Sequence, residues 1–167
     1  MSKLQWKMNS KIGPLYLVAS EKGLTGVYWS QQVIPLAQSL KLSLPQVRIL
    51  KNTTKQLEEY LLGERKKFEL PLELNGTHFQ RQVWGELLKI PYGKTFSYSD
   101  IARKIKNPKA VRAVGSANAK NPICVIVPCH RVIPIDNKIG GYSGPVGIKE
   151  YLLNLENYNL KIPKASQ

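Results

Sequence analysis

The chain has 167 residues, of which 43% are apolar and 22% charged. That is enough to bury a hydrophobic core, as one ordinary domain or two small ones, and too apolar for a disordered chain. No apolar run nears the ~20 residues of a membrane span, Met1–Lys7 lacks a secretory pattern, and two Cys five positions apart make no disulfide scaffold. The expected compartment is therefore the cytoplasm.

The first segment reads as a small antiparallel sheet: Leu15–Val18 and Gly26–Trp29 are β-prone, and Ser20-Glu21-Lys22-Gly23 between them has turn composition. Gln32 to Leu40 reads as a helix stopped near Pro45. A second helix is expected from a Thr cap at 52–54, with Leu57, Tyr60 and Leu61 on one side and Gly63 ending it. Phe68-Glu69-Leu70 is expected at a sheet edge. At Asn75-Gly76-Thr77 the character changes, so residues 1–76 and 77–167 are taken as two domains.

In the second domain Thr77 is the expected cap of a helix burying Phe79, Val83, Trp84, Leu87 and Leu88. Ser97 opens Tyr98–Ile105, with Asp100 at the favourable end of the dipole. Asn107-Pro108 suits a helix start, cap then N1, for Lys109 to about Asn118, where Ala110, Ala113, Gly115, Ser116 and Ala117 are all small. Two helices across a short turn make a helix-turn-helix candidate. Ile123–Val127 reads as a short buried strand. A Gly-rich loop, 140–144, precedes a helix from Gly147 to about Glu156 with Ile148, Tyr151, Leu152 and Leu155 inward.

Charge sharpens the picture. Lys and Arg number 25 against 11 Asp and Glu, a net of +14, which favours a polyanionic partner. Residues 77–167 hold 14 basic and 5 acidic side chains, and no acid lies between Asp100 and Asp136. That acid-free window covers the helix pair.

Chemistry concentrates in Val127-Pro128-Cys129-His130-Arg131-Val132. Thiolate is the nucleophilic form of cysteine, and neighbouring cations or bases raise its population. Cys129 lies beside His130 and Arg131, with Lys138 soon after, whereas Cys124 sits inside an apolar run. Cys129 is the expected reactive thiol, and Cys124 a buried hydrophobe.

Pro128-Cys129-His130-Arg131-Val132, together with Tyr98, Asn107–Gly115, Asn121-Pro122 and Gly141-Tyr142-Ser143-Gly144, resembles the O6-alkylguanine-DNA alkyltransferases (methylated-DNA–protein-cysteine methyltransferases). The resemblance covers most of the chain and is strongest from Phe79 to Glu156. It implies an α/β (α+β) fold: a small ribonuclease H-like antiparallel sheet with helices, then a winged helix-turn-helix-like domain. It implies a single-turnover methylated-DNA–[protein]-cysteine S-methyltransferase repairing O6-alkylguanine, with O4-alkylthymine a further possible substrate. Cys129 would capture the alkyl group as a stable thioether. His130 would draw its proton through a bound water, Glu156 would orient His130, and Asn121 would brace the loop.

The target base must leave the stack to be reached. By the same resemblance Arg112 would fill the vacated position, and Tyr98 would help rotate the 3′ phosphate and donate to the guanine ring. Ala110, Ala113 and Ala117, with Lys109, would bring the second helix against the minor groove. Tyr142, Ser143, Gly144 and Val132 would line the guanine pocket, with Ser143 donating to O6 and Asn118 at a position that is apolar in some relatives. Lys149 and Arg131 are expected to be structural or phosphate-facing. No cofactor is implied, because the lesion is the donor. No metal is expected, since residues 1–76 hold neither Cys nor His. The implied partner is double-stranded DNA containing O6-alkylguanine, bound by a monomer that could assemble cooperatively along the duplex, and no membrane. The alternative is a non-enzymatic module that binds alkylated DNA and signals. Those relatives carry Trp where this chain has Cys129. An unrelated Cys-His hydrolase would leave the basic helix pair unexplained.

Overall fold

Three β-prone runs pair in chain order as an antiparallel sheet: β1 (Leu4–Met8), β2 (Leu15–Ala19) and β3 (Leu24–Tyr28). Leu4 lies opposite Ala19, and Tyr16 opposite Tyr28, with a bulge at Val18/Ala19. This is a computed structural model, and it describes residues 2–38, 43–136 and 142–161.

Helix α1 (Pro45–Leu61) covers the sheet with Val47, Leu50, Leu57, Tyr60 and Leu61. The expected helix over 32–40 is absent from 32–38. Pro35 would break it, and Gln5 of β1 holds the segment extended instead. Gln5 N–H donates to Pro35 O (2.9 Å), its carbonyl accepts from Ala37 N–H (2.8 Å), and its side chain bonds the backbone of Gln32 and Ile34. Pro45 starts α1 rather than ending a helix, because at N1 its missing N–H costs nothing. Thr53 and Thr54 therefore lie mid-helix and donate back to the carbonyls of Ile49 and Leu50. Gly63 ends the helix at φ +78°, as expected of a C′ glycine. The strand expected at 68–70 falls slightly later, where Leu72 bridges Leu24.

In the second half, α2 (His78–Leu87) and α3 (Tyr98–Lys104) both start in capping boxes, Thr77 with Gln80 and Ser97 with Asp100. Val83, Trp84 and Leu87 are buried, whereas Leu88 is exposed and Phe79 half-buried. α4 runs Val111–Ala119, later than expected. Asn107 and Pro108 make a turn in which the Asn107 carbonyl accepts from Ala110 N–H, and Lys106 at φ +60° redirects the chain between helices. β4 (Phe96–Ser97) pairs in parallel with β5 (Val132–Ile133), and α5 (Ile148–Lys161) closes the described chain. Tyr151 is exposed on α5 while Leu152 is fully buried.

The expected α/β fold class holds, with one hydrophobic cluster running through both halves and Trp84 and Tyr60 as its largest buried side chains. The strand expected at 123–127 does not form. Its residues are buried, but they follow successive turns with Val125 at φ +73°. Only Ile123 bridges a strand, Val27 of β3, beside a 2.9 Å bond from Val27 N–H to Pro122 O. The first half thus holds the segment that leads to Cys129.

Candidate active site and nucleic-acid interface

Asn121 organises the turn. Its Nδ2 donates to Val127 O (2.8 Å), and its Oδ1 accepts from Ile123 N–H (2.9 Å). Asn118 of α4 donates to Cys129 O (3.3 Å). Cys129–Arg131 then forms one 3-10 turn, fully buried, between α5 and α2.

His130 is 0% exposed, and its Nε2 lies 3.0 Å from Glu156 Oε1. Burial acts first on Glu156, to raise its pKa, but hydrogen bonds from His130 and Arg131 outweigh it and hold the carboxyl at about 2. The carboxylate is ionised at neutral pH, so Nε2 must be the donor. Burial lowers the His130 pKa, against the pull of Glu156, which keeps the ring neutral. Its Nδ1 therefore carries the lone pair, and that atom is buried with no hydrogen-bond partner among the described residues.

Three further residues hold Glu156, one of them Gly93, whose N–H donates to Oε2 (3.4 Å). Arg131 donates through Nε (3.0 and 3.1 Å) and Nη2 (2.6 Å), and Tyr60 of α1 donates through its hydroxyl (2.8 Å). Of the two roles the sequence leaves open for Arg131, structural or phosphate-facing, it takes the structural one. The structure buries it against Glu156 and Ile90 O (2.8 Å). From the sequence alone Tyr60 is a core residue of the helix and no more. Its period on α1 shows that it points inward, but nothing local names a partner 96 positions away.

Both thiols are buried, Cys124 at 4% and Cys129 at 1% exposed, so exposure does not separate them. They interact directly. A hydrogen bond from Cys129 brings the Cys124 thiol down to about 7, against the effect of burial. The same bond, then burial, then the Cys124 charge push the Cys129 thiol up, while Asn121 and Lys149 pull it down. Each thiol thus shifts the ionisation of the other, and the charge that favours the Cys129 thiolate is Lys149, not a neighbour in sequence. Lys138 lies outside the described residues.

Lys149 is buried and donates to Val132 O (2.7 Å), so it does not face phosphate and the carbonyl expected to meet guanine already accepts one bond. Tyr142 packs edge-on to Trp29 just beyond β3, with ring centroids 6.2 Å apart. A Cβ on Gly144 would lie 2.5 Å from the Tyr142 ring and 2.8 Å from that of Trp29, so this wall admits only glycine there. Ser143 is exposed, with Oγ 3.9 Å from Cys124 Sγ. Gly140 and Gly141 lie outside the described residues.

On α4, Arg112, Ala113, Ser116 and Ala119 are exposed along one face, and Lys109 is exposed before it. Ala110 is half-buried at the N-cap. Ala117 points inward, away from any groove: its side chain is 3% exposed, and its carbonyl accepts from Trp84 Nε1 (2.8 Å). A 3.6-residue period cannot put 110, 113 and 117 all outside once Val114 and Asn118 face the core. Tyr98, half-buried at the start of α3, has its phenol pKa raised by burial and by the Cys129 charge, so it sits within electrostatic reach of that sulfur.

Residues 5–74 match the 6-O-methylguanine DNA methyltransferase ribonuclease-like domain, and residues 78–158 match the DNA binding domain of the same family. The chain belongs to the 6-O-methylguanine DNA methyltransferase family. A methylated-DNA–protein-cysteine methyltransferase of Methanosarcina mazei is 43% identical over 159 residues, covering 92% of this chain and 97% of that protein. One from Mycobacterium leprae is 42% identical over 154 residues, 92% of each. The crystal structure of Mycobacterium tuberculosis OGT in complex with DNA superposes with a TM-score of 0.82 at 40% identity, covering 93% of this chain and 94% of that one. In this methyltransferase-family chain the ribonuclease-like part supplies Tyr60 and Trp29 to the site, and the DNA-binding part supplies both thiols, His130 and Glu156. Among the described residues no helix is long and apolar enough to cross a membrane, and no group of three or more His, Cys, Asp or Glu could hold a metal.

Proposed function

We propose that this protein repairs O6-alkylguanine in double-stranded DNA by moving the alkyl group irreversibly to Cys129, one group per molecule. Family membership and relatives at 42–50% identity named methylated-DNA–protein-cysteine methyltransferase support that activity. The observation that carries the site assignment is the neutral, buried His130 next to Cys129, with Nε2 committed to an ionised Glu156.

The proton of Cys129 passes toward His130 Nδ1, through a water in the family reading. The sulfur then attacks the alkyl carbon, the S–C bond forms, and the C–O6 bond breaks with its electron pair going to the guanine. Ser143 hydrogen-bonds O6 while Tyr98 passes its phenol proton to the ring, so the purine leaves neutral, and the proton taken up at His130 restores the phenol. Arg112 enters the stack in place of the flipped nucleotide, while Lys109 and the exposed face at Ala113 lie against the backbone. Asn118 and Asn121 fix the turn that presents the sulfur. The protein acts as a monomer in the reducing cytoplasm, where both thiols stay reduced, and its two domains divide at 76/77.

Incubation with duplex DNA carrying O6-methylguanine, followed by intact-mass and peptide analysis, should find one added methyl on Cys129 and unmodified guanine. Cys129→Ala should abolish transfer and keep DNA affinity. Turnover far beyond stoichiometry, or methyl on Cys124, would overturn the assignment. A signalling module would bind and never gain mass, and a thiol retained at 129 argues against it.

A further inference from the structure

Cys124 is a buried thiol that the transfer reaction does not use, and the fold brings it to Cys129. In an extended strand, residues five apart point to opposite faces about 17 Å from each other. Here the chain doubles back. Ile126 N–H donates to Cys124 O (2.9 Å), Val127 N–H to Ile123 O (2.9 Å) and Cys129 N–H to Val127 O (2.8 Å), with Val125 in the left-handed region. A β-branched residue there is strained, so the surroundings must hold it. The two cysteines thus share one short turn, where each shifts the ionisation of the other.

The two sulfurs differ in access. A cavity of about 470 Å³ lies between β3 and the end of α4, and its lining includes Trp29, Asn121, Ser143 and Cys124 but not Cys129. A small solute entering it meets Cys124 and not Cys129.

We propose that Cys124 and Cys129 form a reversible dithiol–disulfide pair that responds to peroxide-class oxidants and shields the acceptor sulfur while it is unspent. The protective meaning rests on Cys129 being the acceptor, but the pair itself does not. The Cys124 thiolate attacks one peroxide oxygen, giving a sulfenic acid, and the released hydroxide takes a proton to become water. Cys129 then displaces the sulfenic hydroxyl, forming the S–S bond and a second water. In sum, two thiols and one hydrogen peroxide give one disulfide and two waters. The ionisation of Cys124 near about 7 supplies the thiolate at physiological pH. Reduction by a dithiol restores both groups. Once Cys129 carries an alkyl group the pair can no longer close, so the switch acts only on unused protein.

The test needs no DNA for its first arm. Trypsin cutting after Lys120 and Arg131 leaves both cysteines in one peptide. After brief hydrogen peroxide treatment that peptide should be lighter by two hydrogen atoms and refuse iodoacetamide, and dithiothreitol should reverse both changes. In the second arm, peroxide should abolish methyl transfer, and dithiothreitol should restore it in full. Cys124→Ser, and Cys124→Ala as a second variant, should still place the methyl on Cys129 when reduced. After peroxide, however, Cys129 should proceed to sulfinic acid, with recovery on reduction about tenfold lower or worse. If both cysteines still react with iodoacetamide after peroxide, or the variants recover as well as the parent, the proposal is wrong. If the disulfide forms but transfer proves independent of Cys129, the pair stands and the assignment of the acceptor falls.

Discussion

The turn around Cys129 and the outer face of α4 serve the same reaction with opposite physics. In the turn every functional group is buried and cross-braced. Glu156 alone receives bonds from His130, Arg131 and Tyr60. On α4 the side chains of Arg112, Ala113, Ser116 and Ala119 stand in solvent, carried by a helix whose inner face packs on Trp84. Displacement at carbon requires a sulfur held in one position in a dry setting, where low dielectric strengthens each contact. Gripping a phosphate backbone needs charge at the surface and tolerates freedom. Damage to the first region should therefore be abrupt and damage to the second graded and dependent on salt.

The largest effect should come from Glu156→Ala. It leaves the Arg131 guanidinium buried without its carboxylate, which costs about 3–5 kcal/mol in unfolding free energy. It also frees His130 to turn, so single-turnover transfer should slow by roughly 10²-fold or more. Urea unfolding and quench-flow transfer read the two losses separately, and a mild phenotype in both would dissolve the contrast.

Acid should act on the same region. His130 and Glu156 both have folded pKa values below their unfolded ones, so the unfolded state binds more protons. Stability should be full above about 6.5, decline as His130 is forced to charge, and decline further below about 4.3 as Glu156 is pulled toward about 2. Unfolding midpoints measured across that range should fall steadily, and a flat profile would show that neither group is held as described.

Tyr60→Phe should cost about 1.5 kcal/mol by removing one bond to a charged acceptor. It should slow transfer only severalfold, since His130 and Arg131 still hold Glu156. An unchanged rate and stability would mean that the first half merely packs against the site.

The narrowest effect in the reduced system belongs to the exposed face, because it is confined to duplex substrate. Arg112→Ala should slow transfer from duplex DNA about tenfold while leaving reaction with free alkylated base unaltered, because only the duplex pays for flipping. Affinity for duplex should also fall steeply with salt in the parent protein. Equal slowing on both substrates would place Arg112 in the chemistry rather than the grip.

Much of the fold was legible because the cues are local. Thr77 and Ser97 cap helices through residues three positions away, Gly63 ends one, and β-prone runs on either side of a turn mark β2 and β3. The misreadings share one cause. Pro35, Pro45 and Asn107-Pro108 have local preferences that fit two arrangements, and a distant partner chose between them: Gln5 for the first, the sheet under α1 for the second, and the end of α3 for the third. Ala117 was misplaced because a stripe of small residues does not say which side of a helix is already occupied.

Residue types and spacing by themselves determined that a thiol, an imidazole and an acid of this family's pattern were present, and that a basic helix pair accompanied them. Such signals lie in short stretches of covalent neighbours. Only tertiary structure decided that Arg131 faces Glu156, that Tyr60 reaches it from 96 positions away, and that Cys124 meets Cys129. Each of these depends on which buried charge or sulfur finds a partner once water is excluded, and burial is a property of the whole packed chain.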